Sequence, residues 1–105
     1  MTQFNTPGFV EGQIDKDESI EIRRKRLKFR SWHRGIKEAD ILLGSFADKF
    51  LGKMTTEQLD KYENLLREAD SDIVAWITKD RPSPDHYDHD VMEMLKSIDY
   101  LKILK

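Results

Sequence analysis

The 105-residue chain has no cysteine, only three prolines and five glycines, and no long apolar run. Without cysteine it cannot form disulfides, thiolate-ligated zinc sites, iron–sulfur clusters or a cysteine nucleophile. This composition agrees with a reducing compartment. Because no run approaches the roughly 20 apolar residues that span a bilayer, we expect no insertion into a membrane. The length corresponds to one small domain.

Neither sign of charge dominates, since 18 Lys and Arg residues stand against 20 Asp and Glu residues, for a net charge of −2. This balance argues against a nucleic acid as the main partner. The charges are unevenly placed, however. Residues 1–37 carry nine basic and five acidic side chains (+4), and residues 38–105 carry nine and fifteen (−6). The basic stretch between residues 23 and 34 is therefore either a solvated face paired with acidic neighbours or a binding surface.

The N-terminal segment, residues 1–18, shows no helical periodicity and contains Pro7, Gly8 and Gly12. These features predict a flexible tail before a single helical domain over residues 19–105. The tail resembles neither a signal peptide nor a transit peptide, because it has no apolar region and carries acidic residues early. From the residues alone we expect a cytoplasmic protein.

Helical periodicity runs through the rest of the chain, and no segment alternates with the period of a strand. The predicted fold is all-α, a small five-helix bundle. Ser19, Thr55 (with Gln58 three residues later) and Asp70 or Ser71 are the predicted N-caps of the first, third and fourth helices. The predicted helices cover residues 20–33, 36–51, 55–69, 70–77 and 88–105.

Apolar residues at helical spacing form the predicted core, although those of the first helix fall on two sides, which suits contacts on more than one face. Gly35 and Gly52 are predicted to end helices in the left-handed conformation, and Gly44 to allow a close helix contact. The predicted core comprises Ile20, Leu27, Ala39, Leu42, Leu43, Phe46, Ala47, Phe50, Leu59, Tyr62, Leu65, Leu66, Ala69, Ile73, Val74, Trp76, Ile77, Val91, Met94, Leu95, Ile98 and Leu101.

Three kinds of functional site can be weighed from the residues alone. The basic first helix, with Phe29 and Trp32 among its cations, could bind nucleic acid, although the acidic remainder would repel it. Residues 85–90 hold His and Asp at ligand spacing, but such residues usually lie at the surface, and we expect no metal site. No Gly-x-Ser-x-Gly motif or glycine-rich phosphate loop is present, which argues against a hydrolytic or acid–base active site.

The junction between the first two helices carries a further motif, Arg34-Gly35-x-x-Glu38. Helix-end electrostatics alone could explain it, because a cation is favoured at a helix C-terminus and an anion in the first turn of the next helix. Alternatively, the junction presents an arginine fork and a carboxylate about one helical turn apart. A glycine between them would let another backbone come close.

This motif, followed by Asp40 and an apolar helix, resembles the signature of the SdhE-type FAD assembly factors of succinate dehydrogenase. Farther along, Asp70-x-Asp72-Ile73-x-x-Trp76 resembles a second segment of that family. The resemblance covers about residues 19–100. It implies a five-helix bundle that binds the flavoprotein subunit of succinate dehydrogenase, or of fumarate reductase, and promotes covalent attachment of FAD to a histidine of that subunit.

On this resemblance, Arg34, Gly35 and Glu38 are the expected partner-binding residues, and Asp40 is a weaker candidate. Trp32 and Phe29 are candidates for the apolar centre of the interface, with basic residues at its rim, although packing within the bundle is the stronger alternative. The family implies an assembly factor and not an enzyme, with no firmly bound cofactor, because the client carries the FAD. We expect a monomer or weak dimer with no nucleic-acid partner. A nucleic-acid-binding or general interaction module remains the alternative.

Overall fold

The computed structural model describes residues 18–99 and 102, and within this part of the chain it contains helices and no strand. The predicted tail, except Glu18, lies outside the described residues, as does most of the chain after residue 99. The prediction of an all-α bundle of five helices is confirmed. The helices are α1 (Ile20–Trp32), α2 (Lys37–Phe50), α3 (Thr56–Leu65), α4 (Asp70–Ile77) and α5 (Asp90–Lys96), with short 3-10 turns at Leu51–Lys53 and Asp85–Tyr87.

Two of the predicted N-caps are confirmed. The Ser19 side chain accepts a hydrogen bond from the Ile22 amide (3.1 Å), which satisfies one of the unpaired N–H groups at the start of α1. Thr55 and Gln58 bond reciprocally, with Gln58 N donating to Thr55 Oγ1 (3.1 Å) and Thr55 N donating to Gln58 Oε1 (3.0 Å). This capping box therefore fixes the start of α3.

The predicted cap of α4 is wrong, because the N-cap is Ala69, which makes no side-chain bond. Asp70 is already helical, and its carboxylate bonds to the α1–α2 junction instead. The start of α5 also differs slightly from the prediction near residue 88. There, the imidazole of His89 accepts from the Met92 amide at 3.1 Å and sets the first turn at Asp90.

The core lies between α2, α3, α4 and α5, with α1 packed mainly on α2. Most predicted core positions are confirmed, Trp76 among them, whereas Ala69 is exposed and Phe50 is half-buried. The prediction omitted Leu51, Met54 and Tyr87, which lie in a 3-10 turn or beside one, and it also missed Ala75 and Met92, which are buried on α4 and α5. The fully buried large side chains are Leu27, Leu42, Leu43, Phe46, Met54, Leu59, Tyr62, Leu65, Leu66, Ile73, Ile77 and Met92.

A buried ion cluster joins α1 to α3. Glu63 is only 1% exposed, and its Oε1 accepts from Arg23 Nε (3.1 Å) and Nη2 (3.0 Å) while its Oε2 accepts from Arg26 Nη1 (2.7 Å). Arg26 also pairs with Glu18 at 2.8 Å. Burial alone would raise the pKa of Glu63, but its bonds to Arg26 and Arg23 outweigh burial, and the net direction is downward. Glu63 is therefore ionised in the folded protein at neutral pH.

The prediction of left-handed backbone at Gly35 and Gly52 is wrong, since neither has a positive φ. Gly52 lies inside a 3-10 turn, and a Cβ there would meet nothing within 4 Å. The prediction for Gly44 is confirmed, because a Cβ on this residue would collide with the indole ring of Trp32. Glycine at this position therefore lets α1 and α2 approach closely.

Substituting Gly44 with alanine is expected to destabilise the bundle by about 1–2 kcal/mol. Overpacking against the Trp32 ring costs about 1–3 kcal/mol, which exceeds the gain of about 1 kcal/mol in helix propensity. Urea denaturation should show a lower midpoint with an unchanged slope. Gly52→Ala is the matched control and should leave the midpoint within error. A stabilised Gly44→Ala variant would contradict the packing argument.

Candidate functional site

The junction between α1 and α2 is a short turn held by side chains. Helix α1 ends at Trp32 and α2 begins at Lys37. Between them, the Arg34 amide donates a short hydrogen bond to the carboxylate of Asp40. The Asp40 amide in turn bonds to the Ile36 carbonyl at 3.1 Å. Asp40 is half-buried and lies in the first turn of α2. Its carboxylate therefore ties the junction to the start of this helix.

The side chain of Arg34 points into the protein and is 9% exposed. Its Nε donates to Asp70 Oδ1 at 2.7 Å, and its Nη2 donates to the Leu66 carbonyl at 2.8 Å and the Glu68 carbonyl at 3.4 Å. Both carbonyls lie just after the end of α3, in its connection to α4. The guanidinium thus ties the α1–α2 junction to the α3–α4 connection.

The same Asp70 carboxylate also holds Gly35. Its Oδ2 accepts from the Gly35 amide at 2.6 Å, so the two carboxylate oxygens bind two consecutive residues of the junction. A Cβ on Gly35 would lie 3.0 Å from this oxygen, tighter than nine in ten real Cβ contacts. Gly35 is nevertheless exposed on its other side. The feature that disfavours a side chain here is the proximity of Asp70 and not the φ angle of Gly35.

Glu38 lies in the first turn of α2, and its side chain is exposed. Within the described part of the chain, its carboxylate makes no hydrogen bond or ion pair. Ile36 beside it is 40% exposed, and Lys37 faces solvent. The junction therefore presents an apolar side chain, bare glycine backbone and an unpaired carboxylate together. We call the exposed surface of Gly35, Ile36 and Glu38 the corner.

The two aromatic candidates on α1 differ in their surroundings. Trp32 packs over Gly44 of α2, and its Nε1 donates to Asp48 at 3.2 Å. Phe29 is 63% exposed and stacks on the imidazole of His33, with ring centroids 3.9 Å apart. His33 Nδ1 lies 2.7 Å from the Phe29 carbonyl oxygen, which orders this stack. Phe29 is thus the aromatic presented to solvent, whereas Trp32 connects two helices.

The basic residues of α1 are used mainly inside the protein. Arg23 and Arg26 bind Glu63, as described above. Arg24 donates to the carbonyls of Leu51 and Met54, both at 2.8 Å. Arg30 reaches the Leu66 carbonyl at 3.4 Å, and Lys28 pairs at the surface with Asp48 at 3.3 Å. Only Lys25 among the lysines of α1 extends into solvent without a described ion pair.

Residues 85–90, weighed as metal ligands, have structural contacts instead. Tyr87 is buried, and its hydroxyl donates to Glu68 at 2.5 Å; burial and this carboxylate raise the pKa of Tyr87 to about 12. Asp90 binds Lys61 and Gln58, which lower its pKa to about 2. In the described part of the chain, no three His, Asp or Glu side chains are grouped to hold a metal ion.

A groove of about 520 Å³ runs along α3 beside residues 86–89. None of the partner-binding residues suggested by the sequence lines this groove. Its lining residues are Asp60, Lys61, Glu63, Asn64, Arg67, His86, Tyr87 and His89.

Among residues 18–99 and 102, no helix is both long and apolar enough to cross a membrane.

Sequence reasoning treated Asp70 as a helix cap and missed its part in the junction. The only signal was indirect, namely its place in the Asp70-x-Asp72 segment. The structure brings Arg34, Gly35 and Asp40 into one hydrogen-bonded unit with Asp70, and leaves Glu38 exposed beside it. Phe29 is exposed near the end of α1, and Trp32, the last residue of that helix, is packed on α2.

Comparison with known proteins places this geometry in context. Residues 25–99 match a family model, Sdh5, described as the flavinator of succinate dehydrogenase. The matched span contains the corner, Asp70 and the whole of helices α2 to α5. It excludes only the first residues of α1 from the helical part of the structure.

Curated relatives carry the name succinate dehydrogenase assembly factor 2, mitochondrial. That of Lodderomyces elongisporus is 44% identical over 88 residues, which cover 84% of this chain and 49% of the relative. That of Schizosaccharomyces japonicus is 43% identical over 75 residues, or 70% and 52% of the two chains. A form 2-B protein of Drosophila yakuba is 33% identical over 109 residues, or 90% and 70%. The chain spans about half the length of the fungal relatives.

Proposed function

The chain belongs to the family of flavinators of succinate dehydrogenase, and on this premise we propose that it is an assembly factor for the flavoprotein subunit of that enzyme. It binds this subunit and promotes covalent attachment of FAD to one of the subunit's histidines. The names of the curated relatives support the class of assembly factor over that of enzyme. The flavoprotein subunit of fumarate reductase is a second client of the same kind.

The corner is the surface we assign to the client. The observation that carries this assignment is the unpaired, exposed Glu38 carboxylate beside the bare backbone of Gly35, in a turn fixed by Asp70 and Asp40. The backbone of this turn is already fixed before binding, so ordering it in the complex costs little conformational freedom. Ile36 in the corner is 40% exposed, and Phe29 near the end of α1 is 63% exposed, so both add exposed apolar area.

The assembly factor acts by orientation. Holding a client in one conformation can bring its flavin and its histidine into reacting geometry, and orientation alone lowers barriers by several kcal/mol. The factor favours this conformation by binding it more tightly than the alternatives. The chemistry of bond formation belongs to the flavin and the client. FAD accordingly stays with the client and is not a resident cofactor of this chain.

We place the chain in the compartment that holds the flavoprotein subunit. The curated relatives are named as mitochondrial proteins. For this chain the compartment is the matrix in a mitochondrial system and the cytoplasm in a bacterial one. The nucleic-acid alternative gains no support, because Arg23, Arg24, Arg26 and Arg34 direct their guanidinium groups at protein oxygens.

A flavinylation assay tests the proposal directly. The chain is co-expressed with the flavoprotein subunit in cells that lack any assembly factor, and covalent flavin is read as in-gel fluorescence after denaturation. We expect fluorescence of the subunit only when the chain is present. A folded client with FAD available and no gain in fluorescence would refute the proposed function.

Glu38→Ala should weaken client binding about tenfold or more and lower stability by no more than about 1 kcal/mol. Within the described chain the carboxylate loses only its favourable place in the first turn of α2, worth about 0.3–1 kcal/mol, whereas a charged contact to a client is worth about 1.5–3 kcal/mol. Affinity is measured with the purified flavoprotein subunit, and stability by thermal denaturation. Lys37→Ala, one residue away and equally exposed, is the control. A large loss of stability with unchanged affinity would assign Glu38 to the fold instead.

A further inference from the structure

We propose that Asp70 is the positioning residue of the corner and that Arg34 acts through it instead of touching the client. This inference rests on the proposed function, since the corner it positions is the client surface. Asp70 accepts from Arg34 Nε at 2.7 Å and from the Gly35 amide at 2.6 Å. One carboxylate therefore fixes both the side chain of one junction residue and the backbone of the next.

The burial of these groups separates positioning from contact. The side chains of Arg34 and Asp70 are 9% and 19% exposed, whereas Glu38 is open to solvent. The Arg34 guanidinium is further bound to the Leu66 carbonyl at 2.8 Å. To reach a client, it would have to give up a bond to a carboxylate and one to a carbonyl. Charge-assisted hydrogen bonds of this kind are roughly twice as strong as neutral ones.

The location of Asp70 makes it suited to this role. It is the first residue of α4, where the positive end of the helix favours a carboxylate. Helix α4 is anchored in the core through Ile73, Trp76 and Ile77. The carboxylate is thus attached to a rigid element, and the turn that carries Gly35 is fixed relative to the whole bundle. Without it, the junction loses both of its bonds to α4 and keeps the bond from the Arg34 amide to the Asp40 carboxylate and those from the Arg34 guanidinium to the Leu66 and Glu68 carbonyls.

The chain supplies a matched control two residues away. Asp72 lies on the same helix and pairs with Arg81 at 2.7 Å, but both side chains are largely exposed, at 41% and 52%. Asp72→Asn removes the same charge from the same helix without touching the junction. Any effect of Asp70→Asn that exceeds that of Asp72→Asn therefore comes from the corner and not from the charge of α4.

A double-mutant cycle on client affinity tests the proposal. Dissociation constants for the purified flavoprotein subunit are measured with the wild-type chain, Asp70→Asn, Arg34→Gln and the double variant, at a temperature where all are folded. We expect each single variant to bind about tenfold more weakly, and the double variant no more weakly than the weaker-binding single one. Asp72→Asn should bind like the wild type. If Arg34→Gln is partly unfolded, Arg34→Lys replaces it.

The Gly35 amide provides an independent readout in the isolated chain. In Asp70→Asn, its NMR signal should shift and its hydrogen exchange should accelerate, while amides in the α2 core remain protected. Multiplicative losses of affinity in the double variant would show that Arg34 acts independently of Asp70 and would overturn the proposal, as would full affinity in Asp70→Asn. A wild-type chain that does not bind the subunit would instead overturn the proposed function together with this inference.

Discussion

Gly35→Arg is expected to reduce covalent flavinylation of the client to background while the bundle stays folded. Even a Cβ at this position would lie 3.0 Å from Asp70 Oδ2, so a side chain forces the carboxylate that holds the junction to shift by at least a few tenths of an ångström. The arginine would also extend over the exposed backbone of the corner. Both changes act on the client surface, and neither enters the core. In-gel flavin fluorescence and circular dichroism measure the two expectations together.

Gly52→Arg is the matched control for this substitution. Gly52 is also exposed, and a Cβ there would meet nothing within 4 Å. The Gly52→Arg substitution therefore introduces the same residue type and the same charge at a site where the new side chain displaces nothing, and flavinylation should persist. If Gly35→Arg loses its helical signal as well as its activity, the glycine is needed for folding and the corner loses this support. If it remains active, the client does not approach Gly35.

Much of the fold could be predicted because its determinants are local. The apolar spacing of α2 and the capping box at Thr55 and Gln58 each lie within one helix, and both predictions are confirmed. Where the role of a residue depends on a contact far away in sequence, the prediction is wrong. Asp70 looked like a cap, but its carboxylate is bound to Gly35, 35 residues away. Met54 and Tyr87 are buried without periodicity, so no pattern marked them.

The candidate site could be predicted in part for the same reason. The motif located Arg34, Gly35 and Glu38 at one junction, and the structure places all three there. It could not distinguish an exposed residue from an inward-facing one, because exposure depends on what packs against the turn. Arg34 is directed inward by Asp70 and the end of α3, whereas nothing in the described part of the chain covers Glu38.

The basic stretch of α1 shows how composition can mislead. Seven cations in twelve residues suggested either a binding surface or a face paired with acidic neighbours. The second interpretation describes most of them, since α3 supplies Glu63 and Asp60 to Arg23, and Glu63 to Arg26. These acids are far from α1 in sequence. The excess positive charge of the first third of the chain is thus neutralised by the acidic remainder across a helix interface.

Glu63→Gln is expected to destabilise the bundle by about 3 kcal/mol. The side chain is 1% exposed, and its carboxylate is shared by Arg23 and Arg26. Removing only the negative charge leaves two largely buried guanidinium groups short of a partner, and breaking such a buried pair is costly. Glutamine retains the volume, so no cavity adds to the effect. Urea denaturation near neutral pH measures the difference in the free energy of unfolding.

Asp60→Asn is the control, because Asp60 binds the same Arg23 at 2.7 Å but is 57% exposed; its loss should cost under about 1 kcal/mol. The pH dependence gives a second check. The folded pKa of Glu63 lies below its ordinary value of 4.5, so its contribution is fully present above that pH and is lost as the pH falls through the folded pKa. The difference between wild type and Glu63→Gln should therefore shrink only in acid. A loss no greater than that of Asp60→Asn, or a constant difference down to acidic pH, would mean that the cluster contributes packing rather than charge pairing between α1 and α3.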